Sequence, residues 1–175
     1  VYVNFGSAGF YCYTVAGELV WSRNFGDMNI VDGFGEGSSP VLVENKLIII
    51  WDHEGQSFIT ALDKNTGMEI WKTFRDEPTS WSTPVIVKTS SGIQVVTNGS
   101  RSIRSYNISN GELIWEYPIS STNVIPTPVA EDGIVYITCG YRGYYMLAIR
   151  VEGARGNLTG SKAVLWERHD DDVPN

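Results

Sequence analysis

A glycine turn followed four residues later by tryptophan recurs along this chain and constrains its fold more than any other feature. The copies are Gly17-Glu18-Leu19-Val20-Trp21, Gly67-Met68-Glu69-Ile70-Trp71 and Gly111-Glu112-Leu113-Ile114-Trp115. A degenerate fourth runs Gly160-Ser161-Lys162-Ala163-Val164-Leu165-Trp166. Successive Trp residues lie 50, 44 and 51 apart. A second marker keeps the same register: Ser39-Pro40, Thr83-Pro84 and Thr127-Pro128 are each 44 apart, and each Pro opens an apolar run. A period of this length marks a supersecondary unit that buries its faces only by stacking on its neighbours.

One unit reads as four short strands. Pro40 to Val43, Leu47 to Trp51, Gln56 to Leu62 and Met68 to Thr73 are apolar or alternating runs separated by turn residues. Pro at the head of the first strand fits, because it cannot donate to a ladder from mid-strand. Gly67 closes the turn Asp63-Lys64-Asn65-Thr66-Gly67, where positive φ is required. Four antiparallel strands in one repeat make a propeller blade. No window keeps an apolar 3.6-residue period, so helices are not expected. The predicted fold is therefore all-β: a β-propeller of four-stranded antiparallel blades, about four of them in this chain. One partial domain over residues 1–175 is expected, with blades at about 1–27, 38–76, 80–120 and 124–169. The first blade lacks its innermost strand, and the last stops where another would begin. The outer faces then must close into a small four-bladed ring, pair with a second copy, or be covered by further blades of a longer chain; a ring of roughly seven or eight blades is expected.

Composition narrows the function classes. The net charge of -7 disfavours a phosphate-backbone partner, so no nucleic acid is expected. No apolar stretch approaches the ~20 residues of a membrane helix, so no membrane span is expected. Val1 already sits in a strand-like segment, so the compartment cannot be read from the start of the chain. Cys12 and Cys139 lie in different repeats and in apolar strands, which reads as two buried free thiols.

The segment Ala61-Leu62-Asp63-Lys64-Asn65-Thr66-Gly67-Met68-Glu69-Ile70-Trp71 is similar to the Ala-x-Asp-x-x-Thr-Gly-x-x-x-Trp docking motif of quinoprotein-type propellers. Through it the whole chain resembles the PQQ-like β-propeller repeat family, which includes BamB-like outer-membrane assembly factors and PQQ-dependent dehydrogenases. The third repeat departs from the motif at Tyr106 and Asn110, and the fourth inserts Val151 to Lys162 before its Trp. The resemblance implies that Trp21, Trp71, Trp115 and Trp166 dock between blades, with Gly67 and Gly111 leaving room for the rings. Its dehydrogenases hold PQQ and calcium in a central funnel, commonly beside a disulfide of adjacent cysteines. This chain has no adjacent cysteines and no evident Asn/Glu/Asp set, so neither PQQ nor calcium is expected here.

Polar clusters fall in loops. Asp52 and His53 lie between the second and third strands of a blade. Arg75, Asp76 and Glu77 lead towards Trp81 and the next blade, and Asn123 stands in the following connection. Loops from outer to inner strands reach one face of a propeller near its axis, so these residues are the candidate ligand site. Trp81 beside Arg75 and Asp76 suits stacking on a sugar, a peptide or a planar cofactor. The alternative is that Trp81 packs on the neighbouring loop while the charges form an inter-blade ion network. Asp52, His53 and Glu54 are consecutive and cannot converge easily on a metal, so a capped turn is expected there. His169-Asp170-Asp171-Asp172 reads as a solvated linker. Three Asn-x-Ser/Thr triplets, at Asn98, Asn107 and Asn157, matter only in a secreted eukaryotic protein.

With no catalytic set visible, the expected function is non-catalytic binding or scaffolding in the periplasm or outside the cell. The partner is a protein, small molecule or carbohydrate at the loop face. The alternatives are a fragment of a PQQ-dependent alcohol or sugar dehydrogenase, and a carbohydrate- or peptide-recognition propeller of a larger surface protein.

Overall fold

The computed structural model describes residues 1–139 and 144–169 and is built almost wholly of strands. Blade 1 is a three-stranded sheet of β1 (Tyr2–Asn4), β2 (Phe10–Tyr13) and β3 (Leu19–Arg23). Blade 2 is β4 (Val41–Val43), β5 (Lys46–Trp51), β6 (Ser57–Asp63) and β7 (Glu69–Arg75), in that order. Blade 3 is β8 (Val85–Thr89), β9 (Gly92–Asn98), β10 (Ser102–Asn107) and β11 (Leu113–Pro118). Blade 4 is β12 (Val129–Glu131), β13 (Ile134–Cys139), β14 (Tyr145–Arg150) and, after the short β15 (Gly156–Asn157), β16 (Val164–Arg168). The helical content is two short 3₁₀ turns, and no helix is long and apolar enough to cross a membrane among the described residues.

The blades stack because their middle strands are apolar on both faces. In β5, Leu47 and Ile49 pack towards Phe10 and Cys12 of blade 1, while Ile48 and Ile50 pack towards Val95 and Tyr106 of blade 3. This is the period-two alternation of a strand covered on both sides. Burial of each Ile or Leu contributes roughly 1.5–3 kcal/mol. A third core joins blades 3 and 4 through Val96, Ile103 and Trp115 on one side and Val135, Ile137 and Leu147 on the other. Cys12 and Cys139 are free and buried within these cores.

All four blades share one irregularity. The pairing of the last two strands of each blade slips at the residue before each Trp, so that Trp21, Trp71, Trp115 and Trp166 lie opposite Cys12, Ala61, Ser105 and Ala148. A bulge there increases the local twist and re-aims the side chain that follows. Trp21 thereby reaches over Gly67 and donates from Nε1 to Lys64 O at 3.0 Å. Trp71 does the same one blade on, over Gly111, with Nε1 donating to Ile108 O at 2.9 Å. The residue two further along adds a second grip: Arg23 to Gly67 O, and Thr73 Oγ1 to Gly111 O.

The third and fourth Trp residues are held differently from the first two. Trp115 is fully buried, but its Nε1 donates to Gln94 Oε1 within its own blade at 3.1 Å. The insertion before β16 replaces the glycine turn that Trp115 would have covered. Its β15 pairs in parallel with β11, adding a fifth strand to blade 3. The grip two residues on is kept in another form, since Tyr117 OH donates to the Glu167 carboxylate. Trp166 is 41% exposed and tilted against Tyr136.

The Pro markers are joined by a ladder of the repeat's own period. Ser38 Oγ donates to Ser82 O, Ser82 Oγ to Pro126 O, and Ser39 N to Thr83 Oγ1, each link spanning 44 residues. These bonds tie the connections at the heads of the inner strands to one another.

Candidate functional site

Antiparallel alternation puts the β5–β6 turn, the β9–β10 turn and the connection from β7 to β8 on one face. The charged residues of this region are used chiefly to tie blade 2 to blade 3. Asp52 and Arg75 are both buried. Arg75 Nη2 donates to Asp52 Oδ2 at 3.1 Å, and Nε stands 3.0 Å from Oδ1 without hydrogen-bond alignment. Ser80 Oγ donates to the same carboxylate at 2.7 Å. Arg75 Nη1 crosses to Thr97 Oγ1 of blade 3 at 2.9 Å, and the guanidinium lies 5.7 Å from the Tyr106 ring. Burial pushes the Asp52 carboxyl up to about 6, although the Arg75 cation and the Ser80 hydroxyl pull the other way.

Glu77 is the second buried tie. Its carboxylate accepts from Arg101 N at 2.8 Å, from Ser102 N at 3.1 Å and from Arg104 Nη1, and so caps the β9–β10 turn. It also lies where a Cβ on Gly99 would sit. The backbone is gripped as well, with Ser57 Oγ donating to Glu77 O at 2.7 Å. Glu54 repeats the device towards the exterior, accepting from Thr79 N at 3.0 Å and Thr79 Oγ1 at 2.7 Å. Those two bonds hold its carboxyl below the usual range.

Trp81 and His53 serve the glycine-rich connection between blades 1 and 2. Trp81 Nε1 donates to Gly35 O at 2.8 Å, and the ring lies against Phe34 and Gly37. This is the packed arrangement set out above as the alternative to a free stacking platform. His53 Nδ1 accepts from Asn29 N at 3.1 Å and Nε2 stands 3.3 Å from Gln56 O, so both ring nitrogens have partners. The segment is a capped turn: His53 N donates to Ser57 Oγ at 3.0 Å. Asn123 is half-buried at φ 55 and precedes Val124, whose carbonyl accepts from Trp81 N at 2.8 Å.

A cleft of about 580 Å³ opens on the rim of this face, between the β5–β6 turn, the end of β7 and Arg101. It brings together His53, Arg75, Asp76 and Glu77 among the predicted residues, but not Trp81, Asn123 or Asp52. Two further residues give it its character. Phe74 is 68% exposed on the wall, and Arg101 projects from the next blade at 4.0 Å from Asp76. Asp76 is also paired with Arg104. Phe74 was findable by alternation: Trp71, Thr73 and Arg75 face blade 3, so the residue between the last two faces away.

Among the described residues no group of three or more His, Cys, Asp or Glu is placed to hold a metal ion. Asp170, Asp171 and Asp172 lie outside the described residues.

Residues 1–172 match the family described as "Outer membrane protein assembly factor BamB". No curated protein matches the sequence. Among solved structures, BamB from Moraxella catarrhalis is similar at 16% identity and a TM-score of 0.62, over 94% of this chain and 47% of that one. A europium-containing methanol dehydrogenase is similar at 14% identity and 0.65, over 97% and 40%. The quinohemoprotein alcohol dehydrogenase of Comamonas testosteroni is similar at 16% identity and 0.60, over 88% and 32%. The chain thus spans less than half the length of each of these propellers, and at such identity the likeness shows the fold alone. With the match over nearly its whole length and four stacked blades, this chain belongs to the PQQ-like propeller family described by BamB.

Proposed function

We propose that this chain is a non-catalytic binding propeller whose rim cleft takes a segment of a partner protein, in a compartment outside the cytoplasm. One observation carries the reading. The strongly charged groups of the loops are paired across the blade junction, and what is left facing solvent is an aromatic ring beside an acid–base pair: Phe74 with Asp76 and Arg101. Exposed Phe flanked by both charges suits a protein surface, where aromatic and Arg side chains supply most of the affinity. No nucleophile with an adjacent base stands in the cleft, and the His53 ring is held by Asn29. Export is in keeping with a family described as an outer-membrane assembly factor.

A photo-crosslinking side chain at Phe74 tests the reading in the native host. The expected result is one dominant protein adduct, absent when the crosslinker stands at Lys88 on β8. That partner, once purified, is expected to bind F74A and R101A at least tenfold more weakly than wild type. Dye reduction with an alcohol or sugar in the presence of PQQ and calcium would instead favour a dehydrogenase. A cytoplasmic location on cell fractionation would remove the compartment.

A further inference from the structure

The connection between β3 and β4, Asn24 to Ser39, contains no strand and passes as a strap beside the β5–β6 turn and Thr79. Three bonds hold it there. Glu54 N donates to Asn29 O at 2.8 Å, Val31 N donates to Thr79 Oγ1 at 3.1 Å, and Asn29 N donates to His53 Nδ1 at 3.1 Å. The third differs from the others, because its acceptor is an imidazole.

The ring is seated over Gly55, where a Cβ would stand 2.5 Å from its Cε1. Its Nε2 stands 3.3 Å from Gln56 O. A carbonyl oxygen only accepts and a backbone N–H only donates. Both contacts therefore demand one neutral tautomer, with the hydrogen on Nε2 and a lone pair on Nδ1. A second proton can enter only at Nδ1, where it sets N–H against N–H and takes the acceptor from Asn29. Imidazole is the side chain that ordinarily changes charge between about pH 5 and 8. The ring is half-buried, so solvent protons reach it.

The charges around the ring are few. Glu54 adjoins it, and the bonds from Thr79 hold that carboxyl below the usual range, so it stays ionised as a counter-charge. Arg75, Asp76, Glu77 and Arg101 line the same cleft. The first three of these are engaged with Asp52 or Arg104. On the strap the nearest charges in sequence are Asp27 and Asp32, both exposed.

We propose that His53 is a proton-operated latch for the strap. Neutral, it holds Asn29. Protonated, it releases Asn29 and adds a positive charge to the rim cleft that it lines. The latch does not depend on what that cleft binds.

Amide exchange of the whole chain at about pH 8 and about pH 5, expressed as protection relative to an unstructured chain at each pH, tests this. Protection at Asn29 is expected to fall several-fold at the lower pH, while that of the β6 amides holds. Nitrogen NMR of the ring is expected to show hydrogen on Nε2 at the higher pH and on both nitrogens at the lower. H53A is expected to leave Asn29 unprotected at both. H53N places an amide oxygen near the position of Nδ1 but takes up no proton, and is expected to protect Asn29 at both. The Asp52 carboxyl, pushed up to about 6, is retained in H53N, so its own share of any pH response is read there. F74A is expected to leave the latch unchanged. A ring still neutral at the lower pH, protection at Asn29 that persists once the ring is charged, full protection in H53A, or a pH response in H53N equal to that of wild type would each overturn the proposal.

Discussion

Asp52 and Arg75 meet as an ion pair with no exposed side-chain surface, and Arg75 extends from it to Thr97 in the next blade. Removing one partner from a buried pair leaves the other charge unpaired in a poorly solvated site. R75M is therefore expected to cost about 3–5 kcal/mol. Replacing both residues, as D52N with R75M, is expected to recover part of that loss. Urea unfolding of the three variants checks it, and a near-neutral R75M would show that the pair does not support the junction.

The same carboxyl predicts an unusual pH response. Its folded-state pKa of about 6 lies above the ordinary value of 3.8, so the native chain binds this proton more tightly than the unfolded chain. The contribution of Asp52 to stability therefore falls as pH rises from about 4 to about 6, and is level beyond. Glu54, Glu152 and Glu167 are shifted downward by their hydrogen bonds, so their contributions disappear only at lower pH. Relative to D52N, wild type is expected to lose stability from pH 4 to 6.5. A constant difference between the two, in denaturation midpoints across that range, would contradict the assignment.

The docking glycines differ sharply from the other turn glycines. A Cβ on Gly111 would stand 2.4 Å from the Trp71 ring at φ +75, whereas a Cβ on Gly160 at φ +71 would meet nothing within 4 Å. Both substitutions strain the backbone alike, but only G111A also displaces the ring and its bond to Ile108. G111A is expected to destabilise by ~1–3 kcal/mol more than G160A. Paired thermal or urea melts measure the difference.

Trp81 is expected to act as a clamp on the connection from Asn24 to Ser39. W81A removes both the bond to Gly35 O and the contact with Phe34. Amide exchange and proteolysis in that loop are expected to rise several-fold, with little change in the β5 and β6 amides. W81F, which keeps a ring, is expected to be intermediate. Unchanged exchange in W81A would leave Trp81 free for the ligand role that its sequence context suggests.

Much of this protein follows from its sequence alone. Blade count, strand order and the glycine docking at Gly67 and Gly111 depend on periodicity and turn chemistry, which are local and repeat in register. The Asp63 motif shows how local: its Oδ1 accepts from Asn65 N and Thr66 N at 2.9 Å, within the turn itself. The candidate site was less legible. Glu77 caps a turn 24 and 25 residues away at Arg101 and Ser102, and Arg75 finds Thr97 across a blade boundary. No spacing rule encodes such pairings, because they depend on how one sheet lies against the next. Tertiary packing alone decided that Asp52, Arg75 and Glu77 turn inward, that Trp81 is covered by a loop, and that Phe74 is left on the rim. It also decided that the glycine-turn and Trp device fails at the third junction. There an insertion crosses to β11, and Trp115 turns to Gln94.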